Sequence, residues 1–297
     1  MSHSVEKSET ISSLIRRGEK MIESGGRSES PRLEAEILLA SVTNGSRLDL
    51  YVRFDGSPPA ELAERFLDLA GKRGTGVPLQ YLSGEERFFN RLFKVGPGVL
   101  IPRPETEIVV RQALPFLSEG PFLDIGTGSG CIAVSLLKEG PVELRGTAVD
   151  LSEEALRYAE VNVKRHGVEG RLRLLSGDLF SPLPKREKGS FELIVSNPPY
   201  LDWERGEMED SVREFEPRAA LDGGAGGTSF YIRILQEAGE WLLPGGGLVL
   251  ELGAGQIGAF REMLPEFPGW KLLSVTRDEQ EIERVAALAW KPEHVHG

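Results

Sequence analysis

The feature that most constrains the fold is an alternation of short apolar runs with amphipathic runs from about residue 120 to residue 291. The short apolar runs have the length of β-strands and cover residues 122–125, 145–150, 172–176, 191–196, 248–252, 271–275 and 285–289. Runs with helical spacing fill the intervals, including those that end near residues 138 and 166 and those around 229–243 and 256–264. Strands that alternate with helices form a mostly parallel sheet covered on both faces, so the sequence predicts an α/β fold. Ligands of such sheets bind at the carboxyl ends of the strands.

The first 105 residues follow a different pattern. Residues 30–42 and 60–70 carry apolar side chains at helical spacing, and each run begins after a serine–proline start signal. Residues 71–76 are rich in glycine, lysine and arginine, which predicts a linker. Residues 88–100 fit two short strands around a turn, and residues 105–117 fit a helix. We expect a small all-α domain over residues 1–75, a linker with a β-hairpin over 76–105, an α/β domain over 106–291, and a tail over 292–297.

Composition excludes several classes of protein. The chain has 297 residues, a formal net charge of −11, one cysteine and four histidines. One cysteine cannot form an intramolecular disulfide and no apolar N-terminal stretch marks a secretory signal, so we expect a cytoplasmic protein. No histidine or cysteine cluster has metal-ligand spacing, so no metal is expected. Nucleic-acid binders usually carry a basic balance, so the acidic charge argues against a nucleic-acid substrate.

A glycine loop follows the first strand of the α/β part. It reads Gly126-Thr127-Gly128-Ser129-Gly130 and opens a helix, which lets a ligand approach a helix N-terminus closely. Its G-x-G-x-G spacing differs from the G-x-G-x-x-G of dinucleotide sites, and Asp124 just before it would repel a pyrophosphate. A ligand with an ammonium and a sulfonium suits Asp124, and S-adenosylmethionine has both; the alternative is an acid that caps its own loop. Cys131, directly after the loop, is interpreted as a small packing residue.

Two further acids end the next two strands. Asp150 is placed to accept hydrogen bonds from ribose hydroxyls, which suits any adenosine ligand. Asp178, followed by Leu179, is placed to accept from an adenine amino group, although a turn cap explains it nearly as well. Three acids at three successive strand ends together favour an adenosine site at this edge of the sheet.

The tetrapeptide Asn197-Pro198-Pro199-Tyr200 follows the fourth strand. Prolines lack an N–H but keep their carbonyl acceptors, and the Asn197 side chain offers another acceptor oxygen. Two acceptors that converge on an NH2 group can hold both hydrogens, reduce lone-pair delocalisation and aim the nitrogen at an electrophile, while Tyr200 stacks on the flat group. Catalysis of this kind needs positioning and no covalent nucleophile. Asn197, Pro198 and Tyr200 are the candidate catalytic residues, and all four residues are candidates for substrate binding.

These motifs resemble those of the protein-(glutamine-N5) methyltransferases of peptide chain release factors, the PrmC/HemK family. The matching stretches cover nearly the whole chain and are residues 78–84, 101–107 (IPRPETE), 124–130 (DIGTGSG), 196–200 (SNPPY), 215–221 (FEPRAAL), 277–278 and 283–285. The glycine loop and the tetrapeptide are shared with adenine-N6 and guanine-N2 methyltransferases of nucleic acids. The stretches at 103–107 and 215–217 are more specific to the glutamine enzymes.

The resemblance implies a seven-stranded, Rossmann-like class I methyltransferase domain behind a small helical domain and a β-hairpin. It implies that residues 126–130, Asp150, Asp178, Leu179 and Asn197 surround S-adenosylmethionine. It also implies that residues 197–200 bind the glutamine in the Gly-Gly-Gln loop of class 1 release factors, with S-adenosylhomocysteine as the second product. We expect a monomer that binds neither nucleic acid nor membrane, with a helical domain that docks the release factor.

Three alternatives stay open on the sequence. The nearest is an exocyclic-amine methyltransferase of nucleic acid, because adenine and glutamine both present a planar conjugated NH2. The others are a dinucleotide-dependent oxidoreductase and a binding module without activity; the loop spacing and Asp124 argue against the first, and the presence of Asn197 and Asp150 argues against the second.

Overall fold

The computed structural model describes residues 10–52, 56–118, 120–205 and 208–292. His3, His294 and His296, and all of the expected tail except residue 292, lie outside the described residues. The chain divides into two compact units: one runs to Glu85 and includes Asp210–Phe215, and the other comprises residues 86–209 and 216 onward. The first unit thus extends beyond residue 75, where the sequence suggested a boundary.

The first unit is helical in its described part. Its helices are α1 Ile11–Ser24, α2 Pro31–Val42, α3 Arg47–Val52, α4 Ala60–Gly74, α5 Leu79–Ser83 and, numbered in chain order, α9 Asp210–Phe215. Helix α1 begins at the Thr10 cap, whose hydroxyl accepts from Ser13 N at 3.2 Å. Leu14, Leu38 and Phe66 are fully buried in the shared core of α1, α2 and α4. The expected small all-α domain is confirmed.

The predicted linker is wrong for residues 71–74, because α4 continues to Gly74. The glycines there serve helix packing: a Cβ on Gly74 would lie only 2.7 Å from the Met21 carbonyl oxygen of α1. Glycine in a helix costs about 1 kcal/mol relative to alanine, and here it allows two backbones to approach closely.

A β-hairpin follows the helices. Its strands are β1 Glu85–Phe88 and β2 Arg91–Lys94. Phe89 and Asn90 form the two-residue turn with φ of +47° and +61°, as a type I′ turn requires. The buried Asn162 holds β2: it accepts from Lys94 N at 2.6 Å and donates to Lys94 O at 3.0 Å.

The second unit contains a seven-stranded sheet. Its strands are β3 Phe122–Ile125, β4 Gly146–Asp150, β5 Leu172–Ser176, β6 Phe191–Ser196, β7 Leu242–Glu251, β8 Trp270–Arg277 and β9 Glu283–Trp290. The order is β5-β4-β3-β6-β7-β9-β8; the first five strands are parallel, and β9 is antiparallel to both β7 and β8. The predicted α/β fold is therefore confirmed, and the parallel strands end at one edge.

Helices cover both faces of this sheet. They are α6 Glu107–Ala113, α7 Cys131–Glu139, α8 Glu153–Arg165, α10 Ser229–Glu237 and α11 Ile257–Met263. The side chains of β3 alternate between two buried clusters: Phe122 packs with α6 and α7, whereas Leu123 and Ile125 pack with α10 and α11. No helix in the described ranges has the length and apolarity needed to cross a membrane.

Two predicted helices are shorter than expected. The run 229–243 ends as a helix at Glu237, because Trp241 stacks on Phe180 with ring centroids 6.0 Å apart and Leu242 already pairs with Phe191 in the sheet. The run 105–117 is helical only from residue 107 to residue 113 and is flanked by 3₁₀ turns. The turn after it contains Pro115, which has no N–H to continue an α-helix.

Candidate active site

A cavity of about 260 Å³ opens at the carboxyl ends of the parallel strands. Its wall includes residues from the glycine loop, from the ends of β4 and β6, and from the segments before and after them: Pro102, Thr106, Gly126, Thr127, Gly128, Ser129, Asp150, Asp178, Leu179, Asn197, Pro198, Pro199, Pro217 and Phe230. Most of the predicted site residues are thus brought together, and three of them, Asp124, Gly130 and Tyr200, are not on the wall.

The glycine loop has a backbone that other residues adopt only with strain. Gly126, Gly128 and Gly130 have φ of +69°, +57° and +80°. The N–H groups of Gly126 and Thr127 both donate to the Val149 carbonyl, at 2.8 and 3.0 Å, which ties the loop to β4. Helix α7 then begins at Cys131 and leaves its first N–H groups near the cavity.

Asp124 lies beneath this loop and has no exposed surface. Its Oδ2 accepts from the Thr127 hydroxyl at 2.7 Å, while its Oδ1 has no hydrogen-bond partner in the described part of the chain. Burial raises the pKa of Asp124 to about 7. Direct contact of Asp124 with a ligand stays a prediction; in this structure the acid supports its own loop.

Asp150, at the end of β4, joins the loop to the cavity wall. One carboxylate oxygen accepts from Gly128 N and the other from Ser152 N, both at 2.8 Å. Burial raises the pKa of Asp150, and the backbone N–H groups of Ser152, Gly128 and Leu151 oppose that shift. Each carboxylate oxygen can accept a second hydrogen bond, so Asp150 keeps acceptor capacity towards the cavity.

Asp178 and Leu179 line the cavity near the end of β5. Asp178 is half-exposed and pairs with Arg233 at 2.6 Å, so one of its oxygens is already engaged. Leu179 has a φ of +50°, a conformation that a branched residue adopts only when its surroundings enforce it. Its side chain is buried in the cluster between the sheet and α10.

The tetrapeptide Asn197–Tyr200 presents its first three residues to the cavity. The Ser196 hydroxyl donates to Ile125 O at 2.7 Å, which holds the end of β6 beside the glycine loop. The Asn197 Nδ2 group donates to the Thr106 hydroxyl at 3.1 Å. Among the described residues, none donates to Asn197 Oδ1 or to the Pro198 carbonyl, so both acceptors are available.

Tyr200 turns away from the cavity wall. Its hydroxyl donates to Glu251 Oε1 at 3.1 Å, and its carbonyl accepts from Gln256 Nε2 at 2.7 Å. The stacking role predicted for its ring therefore stays a prediction. In this structure Tyr200 anchors the end of the tetrapeptide through its contacts with Glu251 and Gln256.

Sequence reasoning missed four residues that support the site. Thr106 and Glu251 are almost completely buried. Thr106 contacts the side chain of Asn197, and Glu251 contacts the hydroxyl of Tyr200. Glu216 is also buried; it pairs with Arg103 and accepts from Ile101 N at 3.1 Å, so it joins two segments that line the cavity. Asn162 donates to Ser129 O at 2.9 Å and ties α8 to the glycine loop.

Nucleophilic or metal chemistry receives no support from the described residues. Burial raises the pKa of Cys131 to about 12, which favours the thiol over the thiolate, in keeping with its interpretation as a packing residue. No group of three or more His, Cys, Asp or Glu residues that could hold a metal ion occurs within the described ranges.

Comparisons with known proteins match both units. A family model described as the PrmC N-terminal domain matches residues 13–84, and one described as the methyltransferase small domain matches residues 105–219. The chain is 39% identical to the release factor glutamine methyltransferase of Nitratidesulfovibrio vulgaris over 93% of each chain. It is 40% identical to that of Rhodopirellula baltica, over 88% of this chain and 90% of the relative.

A third relative of the same name, from Geobacter sulfurreducens, is 44% identical over 77% of this chain and 79% of the relative. Among solved structures, a methyltransferase from Pyrococcus furiosus superposes with a TM-score of 0.53 and 22% identity, over 69% of this chain and 91% of that one. At that identity the likeness concerns the fold alone.

Proposed function

This chain belongs to the release factor glutamine methyltransferase family, and we propose that it methylates the side-chain amide of the glutamine in the Gly-Gly-Gln loop of class 1 release factors. The enzyme class and cofactor expected from the sequence, an S-adenosylmethionine-dependent methyltransferase, are confirmed by this membership. The observation that carries the proposal is the pair of free acceptors, Asn197 Oδ1 and the Pro198 carbonyl, on the wall of the cavity.

The cavity fits S-adenosylmethionine in its chemistry. Asp150 retains acceptor capacity for ribose hydroxyls, and the glycine loop leaves room for a close ligand. Asp124 is buried beneath the loop, and the negative charge of its ionised form suits a positively charged ligand above the loop. When bound, S-adenosylmethionine supplies an electrophilic methyl group on a sulfonium.

Asn197 and Pro198 act on the substrate amide. Both hydrogens of the glutamine NH2 donate to these acceptors, which reduces the delocalisation of its lone pair and turns the nitrogen towards the methyl group. A nitrogen–carbon bond then forms, the carbon–sulfur bond breaks with its electron pair left on sulfur, and one amide proton is released to water. These residues therefore act by orientation and need no change of their own protonation.

Two segments at the cavity are compatible with a slender substrate loop. Glu216 stands directly before Pro217 and connects that segment to the segment of residues 101–103. It accepts a hydrogen bond from Ile101 N and pairs with Arg103. Glycines next to the substrate glutamine have no Cβ, so a Gly-Gly-Gln loop can pass between close walls. The segments around Arg103 and Glu216 are also those that separate the glutamine enzymes from nucleic-acid methyltransferases in the sequence.

The direct test is methyl transfer from radiolabelled S-adenosylmethionine to purified release factor, to its Gln→Ala variant, and to DNA and RNA. We expect label on the release factor, none on the variant, and none on nucleic acid. Label on nucleic acid alone would refute the proposal in favour of an exocyclic-amine methyltransferase. The Asn197→Ala variant should lose transfer to the release factor, because it lacks one of the two acceptors.

The helical unit offers a docking surface for the same substrate. Leu48 and Val52 on α3 are 72% and 80% exposed, and they are four residues apart, so they lie on one face of the helix and can be covered together by a partner. We expect the double variant Leu48→Ser, Val52→Ser to bind full-length release factor more weakly and a short Gly-Gly-Gln peptide equally well. Equal weakening of both would refute docking through α3.

Because release factors act on ribosomes, we place the proposed activity in the cytoplasm. We also propose that the enzyme acts as a monomer.

A further inference from the structure

A glycine-rich segment, residues 223–227 (GGAGG), packs against the end of the tetrapeptide. A Cβ on Gly227 would lie 2.1 Å from the Tyr200 carbonyl oxygen, which is closer than any real Cβ contact. The preceding residue, Gly226, has almost the same backbone conformation, with a φ of +67° against +68°, but open space surrounds the position of its Cβ. The missing side chain at Gly227 therefore serves a close approach to Tyr200 that Gly226 does not share.

Gln256 binds the same carbonyl group. Its Nε2 donates to Tyr200 O at 2.7 Å, and its Oε1 accepts from Gly253 N at 3.0 Å and from the Tyr231 hydroxyl at 2.8 Å. A backbone N–H can only donate, so Gly253 requires the oxygen of the Gln256 amide on its side and leaves the NH2 group for Tyr200. A Cβ on Gly227 would also lie 2.5 Å from Gln256 Nε2, so it would disturb this hydrogen bond as well as the carbonyl.

The two prolines make an attachment at this end of the tetrapeptide important. Neither Pro198 nor Pro199 has an N–H, so the middle of the tetrapeptide cannot donate a backbone hydrogen bond that would fix its path. The Ser196 hydroxyl, which donates to Ile125 O at 2.7 Å, holds the chain directly before the tetrapeptide. The carbonyl of Tyr200 is the corresponding point of attachment at the other end.

We propose that Gln256 and Gly227 are positioning residues that fix the end of the tetrapeptide at the Tyr200 carbonyl. With this end fixed, the Pro198 carbonyl keeps its direction relative to Asn197 Oδ1, and both acceptors stay at the spacing that holds an NH2 group. Neither Gln256 nor Gly227 is among the residues that line the cavity, so both act on the reaction through the tetrapeptide. The inference rests on the proposed role of the two acceptors in methyl transfer.

Two pairs of variants separate positioning from general damage. Alanine brings a similar backbone strain to Gly227 and Gly226, because their φ values agree, but only Gly227→Ala must displace the Tyr200 carbonyl. Gln256→Met keeps the length of the side chain and removes the hydrogen bonds of its amide. Its control is Gln112→Met, at a glutamine of α6 that is also half-buried and does not line the cavity. Gln256→Met keeps the test decisive if Gly227→Ala does not fold.

The carbonyl of Tyr200 can be followed by NMR in the full-length chain without substrate. Labelling with ¹³C-carbonyl tyrosine and ¹⁵N-leucine selects the tyrosines that precede a leucine, which are Tyr81 and Tyr200, and Tyr81→Phe identifies the two signals. The Tyr200 carbonyl signal should move upfield in Gln256→Met, because the oxygen loses a hydrogen bond, and it should also shift in Gly227→Ala. It should stay close to its original position in the two control variants.

Methyl transfer to release factor is the second readout. Gln256→Met and Gly227→Ala should each lower kcat about tenfold to a hundredfold relative to the matched control. Both should leave the affinity for S-adenosylhomocysteine within about twofold, because neither residue lines the cavity.

Three results would overturn the inference. They are an unchanged Tyr200 signal in Gln256→Met, a shifted signal with kcat equal to that of the controls, and a loss of kcat with an equal loss of S-adenosylhomocysteine affinity. If the unmodified enzyme transferred no methyl group to release factor, the proposed function itself would be refuted. The two failures are therefore distinguishable.

Discussion

The role assigned to Asp150 leads to a quantitative prediction for Asp150→Asn. In the structure the two carboxylate oxygens accept from Gly128 N and Ser152 N, both at 2.8 Å, and each keeps one further acceptor site. Asparagine retains one of these oxygens and replaces the other with an NH2 group that cannot accept. One backbone N–H and one ribose hydroxyl therefore lose a partner.

The magnitude follows from the number of bonds lost. A hydrogen bond to a charged group contributes about 1.5–3 kcal/mol, so the loss of one ribose contact should weaken binding roughly tenfold to a hundredfold. The unsatisfied backbone N–H should lower the free energy of unfolding by about 1–3 kcal/mol without ligand. Isothermal titration with S-adenosylhomocysteine and urea unfolding measure the two effects separately.

Asp202→Asn provides the control for this experiment. Both carboxylate oxygens of Asp202 also accept from backbone N–H groups, at 2.9 Å from Gly226 and 3.2 Å from Glu204 and Arg205, and Asp202 does not line the cavity. We expect Asp202→Asn to lower stability and to leave ligand affinity unchanged. If Asp150→Asn bound S-adenosylhomocysteine as tightly as the unmodified protein, the assignment of Asp150 to the ribose would be wrong.

Three further predictions concern the loop, the cavity segments and the buried acid. Gly128→Ala should cost about 1–2 kcal/mol of stability and weaken ligand binding, whereas Gly167→Ala, with a similar φ of +65° and open space around it, should cost stability alone; urea unfolding and calorimetry compare them. Glu216→Gln should raise KM for the release factor in steady-state kinetics and leave the affinity for S-adenosylhomocysteine unchanged. An unchanged KM together with weaker binding of S-adenosylhomocysteine would refute the assignment of Glu216 to the substrate segments. Asp124 keeps its proton up to about pH 7 in the native state but loses it near 3.8 when unfolded, so stability should fall by on the order of 4 kcal/mol between those pH values. Asp124→Asn should flatten that decline in urea unfolding at pH 5 and pH 8, and an equal decline in the variant would assign it to other groups.

The spacing of apolar residues predicted those elements that consist of a helix with one apolar face or of a short buried strand. The bounds of β5 and β6 coincide with the predicted runs, because each is a short apolar run that ends at a turn. Prediction from local sequence failed where contacts between distant segments override the local conformational preference of the residues. Residues 71–76 look like a linker, yet Gly71 and Gly74 belong to α4, and Gly74 lies where α1 packs closely against it.

The site shows the same division between local and long-range information. The residues from Gly126 to Gly130, Asp150 and the first three residues of the tetrapeptide could be placed at one edge because they follow parallel strands. The direction of the Tyr200 side chain could not, because it depends on an acceptor 51 positions later in the chain. The pairing of Arg103 with Glu216 was equally hidden, since 113 positions separate the two residues.

Glu251 lies at the end of a parallel strand, as Asp150 does. Asp150 and Asp178 stand at the carboxyl ends of β4 and β5, and Glu251 ends β7, the parallel strand that follows the tetrapeptide in the chain. It sits within the apolar run 248–252, where a charged residue has a desolvation cost and therefore needs a reason. The rule that acids at the ends of parallel strands mark a ligand edge applies to β7 as well, where the acid contacts Tyr200. The position of the Tyr200 side chain thus depends on a residue outside the tetrapeptide.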